Sequence, residues 1–172
     1  MLATAESCTG GLIAAACTDL AGSSAWFERG FVTYSNASKT ELLGVDAALI
    51  QQHGAVSQSV VCAMTLGALA HSRAQVALAV TGVAGPAGGT LEKPVGTVWF
   101  GWVWPGHDVC CEKRCFQGDR RSVRDATVQH ALTALVARTD HAQGHLETWM
   151  PGPILDMRPL DGPAACFCLI GA

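Results

Sequence analysis

The chain has 172 residues, which predicts one domain with its own hydrophobic core. Its formal net charge is -3 and charged residues make up 15% of it, so no basic excess favours a nucleic-acid partner. No uncharged apolar run approaches the roughly twenty residues that span a bilayer, and no charged leader precedes an apolar segment, so we expect a cytoplasmic protein without a membrane anchor.

The beginning of the chain predicts a strand, a helix and a second strand. A short apolar strand over residues 2–5 runs straight into Ser7-Cys8-Thr9-Gly10-Gly11, and an Ala-rich helix follows over residues 12–20. Aromatic and β-branched residues predict the next strand over residues 26–34. The Ser7 segment therefore opens a helix directly after a strand.

Capping residues predict three helices in the middle of the chain. Ser38 and Glu41 form a capping-box pattern for a short helix that ends at Gly44. Asp caps a second short helix over residues 46–54, and Ser begins a longer amphipathic helix over residues 57–72.

The rest of the predicted domain contains three strands and a final helix. A nearly continuous apolar run over residues 75–80 is typical of a strand that is covered on both faces, and it leads into a glycine-rich loop over residues 81–89. Strands over residues 95–103 and 107–116 flank a Pro-Gly turn, and a helix over about residues 119–138 follows. This alternation predicts an α/β fold, a three-layer α/β/α sandwich with a mixed sheet.

The sequence pattern divides the chain into a folded domain and a C-terminal tail. We expect one domain over residues 1–139. Residues 140–172 contain prolines, glycines and isolated apolar residues, which predict a poorly ordered tail.

Ser7 is the first candidate nucleophile. The opening turn of a helix leaves backbone N–H groups unpaired, and these could hold an oxyanion or a phosphate at Thr9, Gly10 and Gly11. Serine is also a favoured helix cap, so this position alone does not establish a catalytic role.

The residues at the end of the second predicted strand include candidate bases for Ser7. None of the six histidines lies in a recognisable motif, whereas Tyr34 and Lys39 lie within a few residues of a strand end. Strand ends on one edge of an α/β sheet converge, so Ser7 and Lys39 can share a cleft. A desolvated lysine can act as a base, and Tyr34 could relay its proton. Ser35 and Ser38 are rival nucleophiles, although a cap explains Ser38 better.

Cys8 is a second candidate nucleophile. The eight cysteines lack the paired spacing of a zinc site, so we expect no metal and no cofactor. A helix N-terminus lowers the pKa of a thiol, which favours a reactive Cys8.

Two further segments are suited to binding an anion. The glycine-rich loop lets backbone N–H groups approach a ligand, but it lacks the patterns of a P-loop or a dinucleotide fold. Arg120, Arg121 and Arg124 cluster at the start of the last helix, where a guanidinium could clamp a phosphate or could be an exposed, solvated group.

Six sequence blocks together resemble one known family, the C-terminal domain of the CinA proteins, which also occurs alone as a nicotinamide-nucleotide amidase. The blocks are AESCTGG (5–11), AGSSAWF (21–27), GFVTYSN (30–36), GAVS (54–57), TGVAGP (81–86) and KPVGTV (93–98). Members usually carry a helix and a fuller first strand upstream of the serine block. Met1 lies only six residues before Ser7, so we expect this helix to be missing.

The resemblance implies a function and a set of site residues. It implies hydrolysis of the carboxamide of nicotinamide mononucleotide to nicotinate mononucleotide and ammonia, in pyridine-nucleotide salvage, through a serine acyl-enzyme. Ser7, Tyr34 and Lys39 are the implied catalytic residues. The residues expected to bind the nucleotide are Thr9, Gly10, Gly11, Asn36, Thr81, Gly82, Gly85 and Arg120.

Two other functions stay open at this point. A cysteine-based amidohydrolase would use Cys8, and a non-catalytic nucleotide-binding module would use the same cleft without turnover. The expected partner in every case is a small nucleotide, and the sequence leaves open a homo-oligomer.

Overall fold

The computed structural model describes residues 1–146, with side chains described up to Thr139. Five strands and five α-helices make up the regular structure of this part of the chain. The strands are β1 (Leu2–Glu6), β2 (Phe27–Val32), β3 (Val76–Gly82), β4 (Thr97–Val103) and β5 (Cys110–Cys115). The helices are α1 (Leu12–Thr18), α2 (Asn36–Leu43), α3 (Ala47–His53), α4 (Gln58–Ala70) and α5 (Arg120–Leu146), and a short 3-10 helix covers Ser23–Ala25.

The strands form one mixed sheet in the order β2-β1-β3-β4-β5. β1 pairs in parallel with both β2 and β3, whereas β3, β4 and β5 pair antiparallel. The carboxyl ends of β1, β2 and β3 therefore lie at the same edge of the sheet. The segments that follow Glu6, Val32 and Gly82 all begin at this edge, which is where α/β folds usually form a binding crevice.

Each face of the sheet is covered by helices and has its own core. On one face, Ile13 and Cys17 of α1 and Val123 and Ala131 of α5 pack with Phe100 and other strand residues. On the other face, α2, α3 and α4 cover β1 and β3 with a second cluster. The expected three-layer α/β/α sandwich with a mixed sheet is confirmed.

Most element ends differ from the prediction by a few residues, and two of the differences have consequences for the interpretation. The cap of α2 is Ser35, whose Oγ accepts from the Ser38 N–H at 3.0 Å, so the capping box predicted at Ser38 is wrong. Ser35 has the extended backbone of a cap and the helix starts three residues earlier than the pattern indicated. α5 continues to Leu146, and the remainder of the predicted tail, residues 147–172, lies outside the described residues.

Glu6, the last residue of β1, links this strand to α1 through its side chain. Its side chain is fully buried, and its carboxylate accepts hydrogen bonds from the N–H groups of Gly11, Ile13 and Ala14 at 3.0, 3.0 and 2.8 Å. These are donors that the first turn of a helix leaves unpaired. Glu6 therefore caps α1 from the preceding strand and closes the loop that carries Ser7.

Gly67 sets how closely α2 approaches α4. A Cβ added at Gly67 would overlap the backbone carbonyl of Leu43 at the end of α2. Because the obstacle is backbone, a side chain there must push the two helices apart. This close packing holds the helix that carries Lys39 against the layer beneath it.

The first prediction concerns Glu6. Glu6→Gln replaces one acceptor oxygen by a donor that faces backbone N–H groups, and we expect it to lower the free energy of unfolding by about 2–3 kcal/mol in urea denaturation. Glu41→Gln, at an exposed position, is the matched control with no comparable loss. Equal stabilities of the two variants would contradict the capping role.

The second prediction concerns Gly67. Gly67→Ala should lower the free energy of unfolding by about 1–3 kcal/mol, even though alanine is the better helix former by about 1 kcal/mol. Leu66→Ala, at the exposed neighbouring position, should change it by less than about 0.5 kcal/mol. A stabilised Gly67→Ala protein would show that the two helices are not in close contact.

Candidate active site

A cavity of about 230 Å³ opens at the edge of the sheet where β1, β2 and β3 end. Its polar lining comes from four separate segments of the chain, so the topology and not local sequence assembles it. The lining residues are Ser7, Cys8, Tyr34, Asn36, Lys39, Ala55, Val56, Thr81, Gly82, Ala84 and Arg120.

Ser7 and Lys39 meet inside this cavity. Lys39 Nζ lies 3.2 Å from Ser7 Oγ, and the Lys39 side chain is only 1% exposed. The same Nζ donates to the backbone oxygen of Thr33 at 2.8 Å and approaches those of Tyr34 and Ser35 at 3.5 Å. The prediction that strand ends bring Ser7 and Lys39 into one cleft is confirmed.

The surroundings of Lys39 favour its uncharged form. Within residues 1–139 no ion pair involves Lys39, and its contacts are carbonyl and hydroxyl oxygens. Burial accordingly lowers the pKa of the Lys39 amine from its ordinary value of 10.5. An uncharged amine keeps a lone pair that can accept the Ser7 hydroxyl proton.

The loop after β1 carries Ser7, and the N–H groups of its two glycines are hydrogen-bonded within the protein. Gly10 and Gly11 have φ angles of 60° and 100°, a conformation that glycine adopts without strain. The Gly10 N–H donates to the Ser7 carbonyl at 3.1 Å, and the Gly11 N–H donates to Glu6. Both N–H groups are already hydrogen-bonded, so neither is free to bind an oxyanion as predicted. The N–H groups of Cys8 and Thr9 donate to no oxygen of the described residues and lie at the Cys8 sulfur.

Cys8 differs from its sequence-based prediction. Burial raises the pKa of the Cys8 thiol to about 11, and the nearby Glu6 carboxylate adds to the rise. The side chain packs into the core with Ile13 and Val80, so desolvation outweighs the effect of the helix N-terminus. The prediction of a lowered pKa at Cys8 is wrong.

Tyr34 and Arg120 form the outer wall of the cavity. The Tyr34 side chain is 62% exposed, and its hydroxyl accepts from Arg120 Nη2 at 3.0 Å. Arg120 Nη1 donates to the Gly85 carbonyl at 2.9 Å. It is the backbone oxygen of Tyr34, and not its phenol, that lies near Lys39.

The other predicted binding residues divide into two groups. Asn36, Thr81 and Gly82 line the cavity, although the Thr81 hydroxyl already donates to the Ala55 carbonyl at 2.8 Å. Thr9 is fully buried, and neither it nor Gly10 and Gly11 lines the cavity.

Sequence reasoning missed four residues of the site. Ala55, Val56 and Ala84 line the cavity with apolar groups, and Glu6 supports the Ser7 loop from below. The block Gly54-Ala55-Val56-Ser57 was available as a signal, because it is one of the six blocks on which the family resemblance rests. Nothing in the local sequence marks Glu6 as a cap, since its three partners follow it across a loop.

Metal-ligand clusters and membrane-spanning helices are both absent from the described residues. Over residues 1–139 no three side chains of the His, Cys, Asp or Glu type come close enough together to hold a metal ion. No helix in the described part of the chain has the length and apolar character needed to cross a membrane.

Comparison with known proteins supports one assignment. The family model of the CinA C-terminal domain matches residues 1–139. Nicotinamide-nucleotide amidohydrolase PncC of Enterobacter agglomerans is 60% identical over 132 residues, which cover 76% of this chain and 80% of that protein. The protein of the same name from Escherichia coli strain K12 is 53% identical over 132 residues, which cover 77% of this chain and 80% of that protein.

A solved structure agrees with this assignment. The competence/damage inducible protein CihA from Agrobacterium tumefaciens superposes with a TM-score of 0.77 at 49% sequence identity, over 80% of this chain and 84% of that chain. Family pattern, sequence identity and fold all agree, and the chain therefore belongs to the CinA C-terminal domain family.

Proposed function

We propose that this protein hydrolyses the carboxamide of nicotinamide mononucleotide to nicotinate mononucleotide and ammonia. The contact of 3.2 Å between Ser7 Oγ and the buried Lys39 amine is the observation that carries the proposal. It supplies a nucleophile and a base in one cavity. The names of the relatives, which are nicotinamide-nucleotide amidohydrolases, support the choice of substrate.

The first half of the reaction forms an ester on Ser7. The uncharged Lys39 amine takes the Ser7 hydroxyl proton while Ser7 Oγ attacks the carboxamide carbon. Negative charge then develops on the carbonyl oxygen. Cys8 lines the cavity and its N–H donates to no oxygen of the described residues, so this amide is the candidate donor, and such a donor is worth about 100-fold or more. Lys39 returns the proton to the amide nitrogen, so the carbon–nitrogen bond breaks and ammonia leaves.

The second half releases the acid. Lys39 takes a proton from water, the resulting hydroxide attacks the ester carbon, and the proton returns to Ser7 Oγ as the carbon–oxygen bond breaks. The sum is one amide and one water converted to one acid and one ammonia. Ser7 and Lys39 end in their starting forms.

Tyr34 takes part in substrate binding in this scheme. Its phenol is held by Arg120 at the mouth of the cavity, and Ser7 is within direct reach of Lys39. A relay through Tyr34 is therefore unnecessary for the proton transfer. Asn36 and Gly82 line the same cavity and complete the contacts available to the nucleotide.

The cysteine-based alternative has less support. A thiol with a pKa of about 11 is almost wholly protonated near neutral pH, and the thiolate is the nucleophilic form. No specific observation favours the non-catalytic module over hydrolysis, because a binding pocket has no need of a buried lysine against a serine.

The third prediction separates these mechanisms. Ser7→Ala and Lys39→Met should each lower kcat for ammonia release from nicotinamide mononucleotide by about 10³-fold or more, because nucleophile and base act as one unit. Cys8→Ala should retain activity within about 10-fold. An active Ser7→Ala protein with an inactive Cys8→Ala protein would establish the cysteine mechanism, and binding without turnover by the unmodified chain would establish the module.

The fourth prediction concerns the stability cost of the buried amine. The pKa of Lys39 is lowered by folding, so the unfolded chain binds more protons between that lowered pKa and 10.5, and stability rises with pH across this window. Below the lowered pKa the protonated amine stays buried and the penalty is complete.

Lys39→Met removes this penalty. At neutral pH the variant should unfold at equal or higher urea concentration than the unmodified protein, and the difference between them should shrink as the pH rises. Lys113→Met, at an exposed position, is the control whose difference should not change with pH. A Lys39→Met protein that is less stable at every pH would refute the account.

A further inference from the structure

A second cavity lies beside the active site. It measures about 470 Å³ and shares Arg120 with the cavity that contains Ser7. Its lining residues are Leu12, Asp119, Arg120, Arg121, Arg124 and Asp125. Arginine side chains are thus concentrated next to the catalytic pair, at a point where the two cavities adjoin.

The two carboxylates of this cavity have other partners. Asp119 Oδ1 accepts from both the N–H and the hydroxyl of Ser122 at 2.8 Å, so Asp119 caps α5. Asp125 lies 3.6 Å from Arg121 in an exposed ion pair. Asp119 thus takes the Ser122 N–H at the start of α5, and the guanidinium groups are the positively charged donors that line this cavity.

Arg120 and Arg124 carry charges that no carboxylate of residues 1–139 neutralises. Both bind only neutral acceptors: Arg120 contacts the Gly85 carbonyl and the Tyr34 hydroxyl, and Arg124 Nη2 donates to the Thr9 carbonyl at 2.8 Å. Arg124 Nε is buried and has no hydrogen-bond partner among the described residues. The positive charge of Arg120 and Arg124 is therefore the feature of this cavity that suits an anion.

The size of the cavity that contains Ser7 also indicates that a nucleotide would extend out of it. Clefts that enclose a small-molecule ligand usually measure about 300–1,000 Å³, and the Ser7 cavity is smaller at about 230 Å³. A nucleotide whose carboxamide lies at Ser7 must therefore extend beyond it. Arg120 is the residue that lines both this cavity and the larger one beside it.

We propose that Arg120 and Arg124 bind the phosphate monoester of the substrate, with Arg121 at the rim of the cavity. The proposal rests on the proposed function and identifies the part of the site that selects a nucleotide over a nucleoside. Guanidinium groups match phosphate oxygens in geometry and charge. Arg124 also holds the Thr9 carbonyl, so the phosphate site and the Ser7 loop share one side chain.

The fifth prediction compares two substrates that differ only in the phosphate. The unmodified protein should have a kcat/KM for nicotinamide mononucleotide at least about 100-fold above that for nicotinamide riboside. Arg120→Gln and Arg124→Gln should each lower this ratio by about 10-fold or more, mainly through KM for the nucleotide. Arg73→Gln, at an exposed position before β3, is the matched control and should leave the ratio unchanged. A ratio unaffected in Arg120→Gln and Arg124→Gln would overturn the proposal, because a purely structural role lowers both rates together.

A second measurement does not depend on turnover. Inorganic phosphate should raise the Tm of the unmodified and Arg73→Gln proteins relative to chloride at equal ionic strength, and should not raise that of the Arg120→Gln/Arg124→Gln protein. If neither substrate is hydrolysed but this pattern appears, the proposed function fails and the anion site stands. An equal phosphate effect in all three proteins, or none in any, would overturn the anion site.

Discussion

A buried amine without a counter-ion is the constraint on which this site depends. Lys39 is almost fully enclosed, and among the described residues its Nζ makes hydrogen bonds to Ser7 Oγ and to backbone oxygens that follow β2. Burial disfavours the charged form of such a group and lowers the pKa of the Lys39 amine. The same desolvation that opposes folding thus favours the uncharged amine that the proposed mechanism requires.

The fold supplies this environment through backbone features at one edge of the sheet. Ser35 starts α2 directly after the strand, which turns the Lys39 side chain back toward β1, and Gly67 lets α2 lie close on α4. Glu6 fixes the loop on the opposite side of the cleft, so Ser7 meets the amine across two parallel strands. Residues away from the reacting atoms therefore determine the distance of 3.2 Å.

Much of this arrangement could be predicted from sequence because periodic patterns and strand-end geometry carry it. The order of elements, the caps at Asp46 and Ser57 and the meeting of Ser7 with Lys39 follow from such patterns. The predictions that were wrong depended on side-chain packing and on hydrogen bonds that form only in the folded chain. The cap shifted to Ser35, and the pKa of Cys8 rose because of packing around the thiol. No local pattern records burial or shows which backbone N–H groups are already bonded.

The most direct test of the central claim is the protonation of Lys39 itself. The chain has three lysines, so NMR of protein labelled at the lysine Cε and Nζ positions should resolve three titrations, one of which disappears in Lys39→Met. We expect that signal to titrate below the ordinary lysine value of 10.5 while the other two are assigned to Lys93 and Lys113. A Lys39 signal that titrates at or above 10.5 would mean that the amine is charged at neutral pH, and it would contradict the role of Lys39 as a base.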